Sequence, residues 1–183
     1  MTKNILIIGG SSDIGLEINN LATAEGHSVY ATSRDEAVSG SYDNFIHLDP
    51  NQSLDALDDI PEDIHGLVYC PGTINLKSLQ RLTLDDIKAE MEVNFYGAFN
   101  VIKKVLPNLK KNDGASVVLF STVAANTGMP MHSSIAASKS ALEGFAISLA
   151  AELAPRVAIN CVAPSIVDLS LIHISEPTRH RSI

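Results

Sequence analysis

Asn4-Ile5-Leu6-Ile7-Ile8-Gly9-Gly10-Ser11-Ser12-Asp13-Ile14-Gly15 is the stretch on which the fold of this chain turns. Lys3–Gly9 is a short apolar run closed by glycine, the pattern of a strand buried on both faces. Ile14, Ile18, Leu21 and Ala22 then recur at helical spacing, and Gly26 ends that helix. A strand that turns through glycines into a helix gathers backbone N–H groups and the positive helix end at one point, where a pyrophosphate can sit. Gly9 permits the tight turn and Gly15 permits close helix packing. Taken alone, the same turn also reads as a plain strand–helix connection.

Working outward, the alternation continues. His27–Thr32 and Asn44–Leu48 read as strands two and three, joined by the polar connection Ser33–Asp43. A short acidic segment runs to Ile60 and Pro61 stops it. Ile64–Cys70 is a fourth strand, followed by helices over Thr83–Glu92 and Phe95–Leu109. Ala115–Ser121 is a fifth strand, Ser134–Leu153 a long alanine-rich helix and Val157–Val162 a sixth strand. Apolar strands alternating with helices imply an α/β fold: a doubly wound parallel sheet with helices on both faces.

The chain has 183 residues, 13 basic and 21 acidic side chains, a net charge of −8 and 45% hydrophobic residues. This apolar content excludes a disordered acidic chain. Net negative charge without a basic cluster argues against nucleic acid or an anionic membrane as partner. No apolar run is long enough to span a bilayer, and the N-terminus lacks the plan of a signal peptide. A cytoplasmic protein is expected, with Cys70 and Cys161 as reduced core thiols rather than a disulfide or a metal pair. No metal site is expected. The tail Leu169–Ile183, LSLIHISEPTRHRSI, follows no periodicity. Its first eleven residues look like an in-frame translation of a sequencing adapter, so 1–168 is read as the domain and 169–183 as a non-native tail. Removing the tail's two arginines and one glutamate takes the net charge to −9.

Gly9-x3-Asp13-Ile14-Gly15 resembles the TGxxxGIG fingerprint of the short-chain dehydrogenase/reductase family. The family's threonine is Ile8 here and its middle glycine is Asp13, which can be accommodated as a helix cap. The resemblance implies a Rossmann-like sheet of strand order 3-2-1-4-5-6. It also implies a nicotinamide dinucleotide held by Gly9, Ser11, Ser12, Asp13, Ile14 and Gly15. Family members that prefer NAD carry an acid at the end of strand two; here Ser33 and Arg34 stand there. A guanidinium can pair with a 2′-phosphate, so NADP(H) is favoured over NAD(H), although Arg34 can also be a solvated loop charge. Asp49 matches the family's adenine contact, or is a simple turn residue. Tyr69-Cys70-Pro71-Gly72 stands in place of the family's NNAG and keeps only Gly72. Pro164-Ser165 replaces Pro-Gly after strand six, and Val167 falls at the nicotinamide amide. The resemblance covers residues 4 to 168, so the family's last strand is expected to be missing.

Reduction of a carbonyl by hydride transfer needs a proton donor at the oxygen and a group to hold that oxygen. The resemblance implies Thr122 in the role of the family serine, Asn94 as the asparagine that carries a relay water, and Lys139 as the lysine that binds the nicotinamide ribose. The family tyrosine falls on Ile135, which cannot donate a proton. A substitute donor is then expected from His132, Ser134 or Ser133, His132 being the more interesting because imidazole titrates near neutrality. Otherwise the substrate supplies its own acid, or none is needed. The implied function is an oxidoreductase acting on a small carbonyl or alcohol with NADP(H). The alternative is a non-catalytic NADP(H)-binding protein of the same fold, a sensor or an assembly subunit. Ala136, Ala137, Ala141, Gly144 and Ala150 give the long helix small faces, which with Phe95–Leu109 resemble the family's dimer interface and imply a homodimer or homotetramer.

Overall fold

The computed structural model describes residues 1–165. Six parallel strands form one sheet: β1 (Asn4–Ile8), β2 (Ser28–Ser33), β3 (Asn44–His47), β4 (Gly66–Tyr69), β5 (Ala115–Phe120) and β6 (Val157–Val162). Their order is β3-β2-β1-β4-β5-β6, as the resemblance implies. The helices are α1 (Asp13–Ala24), α2 (Leu84–Met91), α3 (Gly97–Leu109), the short α4 (Ala124–Thr127) and α5 (Ser133–Leu153). Among the described residues β6 pairs only with β5, and no helix is long and apolar enough to cross a membrane. Val167 and the 169–183 tail lie outside the described residues.

Successive side chains along a strand point to opposite faces, and the core divides accordingly. Leu6 and Ile8 of β1, Leu67 and Tyr69 of β4, and Val117 and Leu119 of β5 face one side. There they pack with Val101, Ile102 and Val105 of α3 and with Leu142, Leu149 and Leu153 of α5. Ile7, Val29, Ala31 and Val68 face the other side with Ala22 of α1. Each fully buried aliphatic side chain is worth roughly 1.5–3 kcal/mol of transfer free energy. The sheet therefore carries two apolar layers at once, which is why the central β1 and β4 read as apolar runs.

One element differs from the sequence reading. Residues 83–92 and 95–109 are expected as two helices, but α2 and α3 form one continuous rod joined by a π turn, Glu92–Tyr96. The Gly97 N–H reaches back to the Glu92 carbonyl across that wider turn. Tyr69 at the end of β4 donates its hydroxyl to the Val93 carbonyl at 2.8 Å. Desolvation raises the pKa of that phenol, so it remains a donor. The rod is thus pinned to the carboxyl end of the sheet at the turn itself. Such turns recur at functional positions in helices.

Gly97 makes this approach feasible: a Cβ there would overlap the Tyr69 hydroxyl and lie 2.8 Å from Asn51 Oδ1. Gly144, in the exposed part of α5, has nothing within 4 Å of a built Cβ. Helix propensity favours alanine at both positions by ~1 kcal/mol. Gly144→Ala is expected to stabilise the protein by about 0.5–1 kcal/mol, whereas Gly97→Ala destabilises it by about 1–3 kcal/mol through overpacking. Urea denaturation midpoints of the two variants check the contrast.

Candidate functional site

All six strands end on the same side of the sheet, and the loops that leave them form the candidate site. At its first end, Gly9 adopts φ +74°, a conformation favourable to glycine. Its N–H donates to the Thr32 hydroxyl at 3.2 Å, and the Gly10 N–H donates to the Thr32 carbonyl at 2.7 Å. A Cβ on Gly15 would overlap the Gly9 carbonyl and stand 2.9 Å from Gly10 Cα. Both glycines are thus required by the geometry. The cap of α1 is Ser12 rather than Asp13: its hydroxyl accepts from the Gly15 N–H at 3.1 Å and donates to the Gly9 carbonyl at 2.8 Å. Asp13 occupies the first helical turn, is exposed, and stands where the helix dipole favours a carboxylate; Ile14 follows it, half-buried.

The glycine turn and the end of β2 are joined by a bond that sequence reading did not find. Ser11 and Ser33 share a hydrogen bond of 2.9 Å between their hydroxyls, and Ser33 also accepts from the Asp35 N–H at 3.0 Å. Tyr42, also unforeseen, donates to the Gly10 carbonyl at 2.9 Å. Arg34 is exposed beside this junction. Asp49 uses its carboxylate to close its own turn, accepting from Asn51 N–H at 3.0 Å and from Gln52 Nε2 at 3.3 Å.

The second end is built around two buried polar side chains. Asn94 sits in the π turn with no exposed surface. Its Oδ1 accepts from the Thr73 N–H at 3.2 Å, and its Nδ2 donates to the Thr73 carbonyl and to Ser138 Oγ, each at 3.3 Å. Lys139 of α5 is 7% exposed and donates to the Phe120 carbonyl at 2.7 Å. Gly72 faces both: a Cβ built on it lies 3.3 Å from Asn94 Oδ1 and 3.5 Å from Lys139 Nζ. The structure therefore brings Gly72, Asn94 and Lys139 together, from three separate elements. Burial lowers the pKa of Lys139 to about 8, against weaker support from Cys161, Glu90 and Cys70. Cys70 and Cys161 are free and half-buried, and burial pushes the Cys70 thiol up to about 12.

Thr122 accepts from the Ala124 N–H at 3.3 Å, which leaves its O–H proton to donate. The Pro164 carbonyl accepts from the Val123 N–H at 3.1 Å and ties the exit of β6 to the Thr122 loop. Ile135 is 4% exposed, so its apolar side chain is buried. Ser134 beside it is buried too, while Ser133 is exposed. His132, at the start of α5, turns Nδ1 onto the Pro130 carbonyl at 2.7 Å, which leaves Nε2 for other partners. Among the described residues no group of histidine, cysteine or carboxylate side chains is arranged to hold a metal ion.

Residues 49–179 match the family model described as short chain dehydrogenase. The chain is 28% identical over 157 residues to a 3-ketodihydrosphingosine reductase of Bacteroides thetaiotaomicron, covering 82% of this chain and 58% of that protein. It is 27% identical over 177 residues to the 3-oxoacyl-[acyl-carrier-protein] reductase MabA of Mycobacterium bovis, covering 93% of this chain and 72% of that protein. The solved structure of ElxO with NADP bound superposes with a TM-score of 0.85 at 23% identity, over 95% of this chain and 77% of that one.

The buried ammonium of Lys139 has a stability signature. Its pKa falls from 10.5 in the unfolded chain to about 8, so the unfolded state binds more protons between those values and stability rises with pH across that window. Below pH 8 the penalty is fully present. Lys139→Met is expected to be more stable than wild type at pH 7 by about 1–3 kcal/mol. The gap should narrow steadily between pH 8 and 10.5 in denaturation curves recorded across that range.

Proposed function

The chain belongs to the short-chain dehydrogenase family, and from that premise we propose that it is an oxidoreductase that exchanges hydride between NADP(H) and a small carbonyl or alcohol. The observation that carries this reading is the meeting of Gly72, Asn94 and the buried Lys139 at the carboxyl ends of the strands. A lysine so costly to bury is expected to work for a ligand. The cofactor fits the residues present. The Gly9–Gly15 turn packs closely into the N-terminus of α1, whose positive end would face a pyrophosphate. Ser33 and Arg34, at the end of β2, would read a ribose 2′-phosphate, and Asp49 would contact the adenine. Lys139 would hold the nicotinamide ribose, and Pro164 and Val167 would border the nicotinamide. The two reductases reported above are named for keto and oxo substrates, and ElxO is named with NADP bound.

The cofactor supplies the hydride when bound. The chain's own residues supply the rest. Thr122 offers a hydroxyl to hold the carbonyl oxygen. Asn94, its side chain fully engaged, fixes the π turn beside Lys139 and the place of a relay water. Ile135 removes the family's proton donor, and His132, through Nε2, is the donor proposed in its stead. The second reading, a non-catalytic NADP(H)-binding protein, draws on the same Ile135, buried and apolar where the family needs a hydroxyl. A homodimer or homotetramer in the cytoplasm completes the proposal, with Tyr96, Phe99 and Ile147 as exposed apolar side chains available on α3, its entry turn and α5.

Arg34→Ala is expected to weaken NADPH binding about tenfold with little change for NADH, because only the 2′-phosphate loses a partner. Fluorescence titration with the two cofactors measures this, and equal losses for both would refute the preference. Ile135→Tyr, assayed with NADPH on a panel of small ketones and aldehydes, is expected to raise turnover by 10²-fold or more. Turnover in wild type that falls in His132→Ala supports the enzyme reading; saturable NADPH binding with no turnover in either background supports the non-catalytic one.

A further inference from the structure

α5 meets the segment that leaves β5 with a row of polar side chains. Lys139 donates to the Phe120 carbonyl at 2.7 Å, and the Ser140 hydroxyl donates to the Ala125 carbonyl at 3.2 Å. Glu143, one helical turn beyond Lys139, takes two partners from the same segment. Its Oε1 accepts from the Ser121 hydroxyl at 2.5 Å, and its Oε2 accepts from Asn126 Nδ2 at 2.9 Å. Nothing in the chemistry proposed above uses Glu143.

The two partners of that carboxylate stand on either side of Thr122 in the chain. Backbone bonds close the interval between them: the Ala125 N–H donates to the Thr122 carbonyl at 3.0 Å and the Asn126 N–H to the Val123 carbonyl at 3.1 Å. From the other side β6 and its exit hold the backbone, the Val162 carbonyl accepting from the Ser121 N–H at 2.7 Å and the Pro164 carbonyl from the Val123 N–H at 3.1 Å. The Thr122 hydroxyl itself accepts from the Ala124 N–H at 3.3 Å, a long bond and therefore a weak hold on the side chain. Its place is set by the frame around it. In that frame the two bonds to Glu143 are charge-assisted, the stronger kind, and they tie both ends of the turn to the helix that carries Lys139.

We propose that Glu143 is a positioning residue of this site that acts through Thr122: by gripping Ser121 and Asn126 together, it fixes the Thr122 hydroxyl at a set place relative to Lys139. The consequence for carbonyl reduction rests on the part given to Thr122 in the proposed function; the hold on Thr122 does not. No covalent bond changes. A displacement of about 1 Å in a group that holds the reacting oxygen is enough to slow turnover by as much as 10²-fold, so a grip of this kind belongs to rate rather than to cofactor affinity.

Glu143→Gln keeps an acceptor for Asn126 and offers an N–H to Ser121, whose hydroxyl can turn to accept it. Glu143→Met keeps the length and removes both bonds. In ligand-free protein labelled at threonine, with the Thr122 signals assigned through Thr122→Ser, the three-bond couplings of its methyl carbon report the χ1 rotamer. One rotamer is expected in wild type and in Glu143→Gln, and averaging over rotamers in Glu143→Met. Ser121→Ala and Asn126→Ala, each lacking one bond, are expected to fall between, and they decide the matter should Glu143→Met not fold. In whichever of wild type and Ile135→Tyr turns over, Glu143→Met should lower kcat about tenfold and leave the KM for NADPH within about twofold. Glu143→Gln should restore the rate. Thr122 couplings unmoved in the variants that lack a bond overturn the proposal, as does equal averaging in Glu143→Gln and Glu143→Met, which marks lost packing rather than lost bonds. Averaged couplings with an unchanged rate overturn the part given to Thr122 and support the grip of Glu143. Absence of turnover in both backgrounds counts against the enzyme reading, while the Thr122 rotamer still decides what Glu143 does.

Discussion

One carboxamide holds the site together. Asn94 bonds both backbone polar atoms of Thr73 and the hydroxyl of Ser138, so a loop leaving β4, a turn inside the α2–α3 rod and the second turn of α5 meet on a single buried side chain. These partners are 21 and 44 residues away along the chain. Inside a low-dielectric interior such a network is strong when complete and costly when broken. The π turn is what brings the carboxamide there. A regular helix through residues 92–96 would advance each following residue by 100° and carry Asn94 and Val93 out of register with Thr73 and Tyr69.

Lys139 shows what the arrangement costs. Desolvating an ammonium is unfavourable, and its one bond is to the neutral carbonyl of Phe120. The surrounding core compensates: Leu142, Ala146, Leu149 and Leu153 on the same helix are all buried against the sheet. α5 thus does two things in one element, with an apolar stripe that anchors it and a charged residue at its start held near the loops. Stability and function pull against each other on one helix, which is the usual condition of a site built into a core.

The fold was largely legible because burial on both faces leaves a plain trace: β1, β4 and β5 are mostly apolar runs, and Ile14, Ile18, Leu21 and Ala22 mark α1 at helical spacing. Strand order followed from the resemblance carried by Gly9, Asp13, Ile14 and Gly15. What sequence hid were interactions decided by one extra or misplaced hydrogen bond. The π turn looks like a boundary between two helices, because the apolar phase slips at Glu92–Tyr96. Ser12 and Asp13 are both good caps, and only the backbone geometry selects Ser12. Ser11–Ser33 and Tyr42–Gly10 join positions 22 and 32 residues apart, for which no local pattern exists. Glu90 stands among Asp85, Asp86 and Glu92 in sequence, yet it is buried and accepts from the Asn75 N–H.

Ile135 takes on a different meaning beside these facts. Ile135 is buried one helical turn before Lys139 on α5, and its apolar side chain can offer the desolvated ammonium no hydrogen bond. A tyrosine introduced at 135 would stand one helical turn before Lys139 on α5, so the proton chemistry there is set jointly by residues 135 and 139 rather than by the new phenol alone.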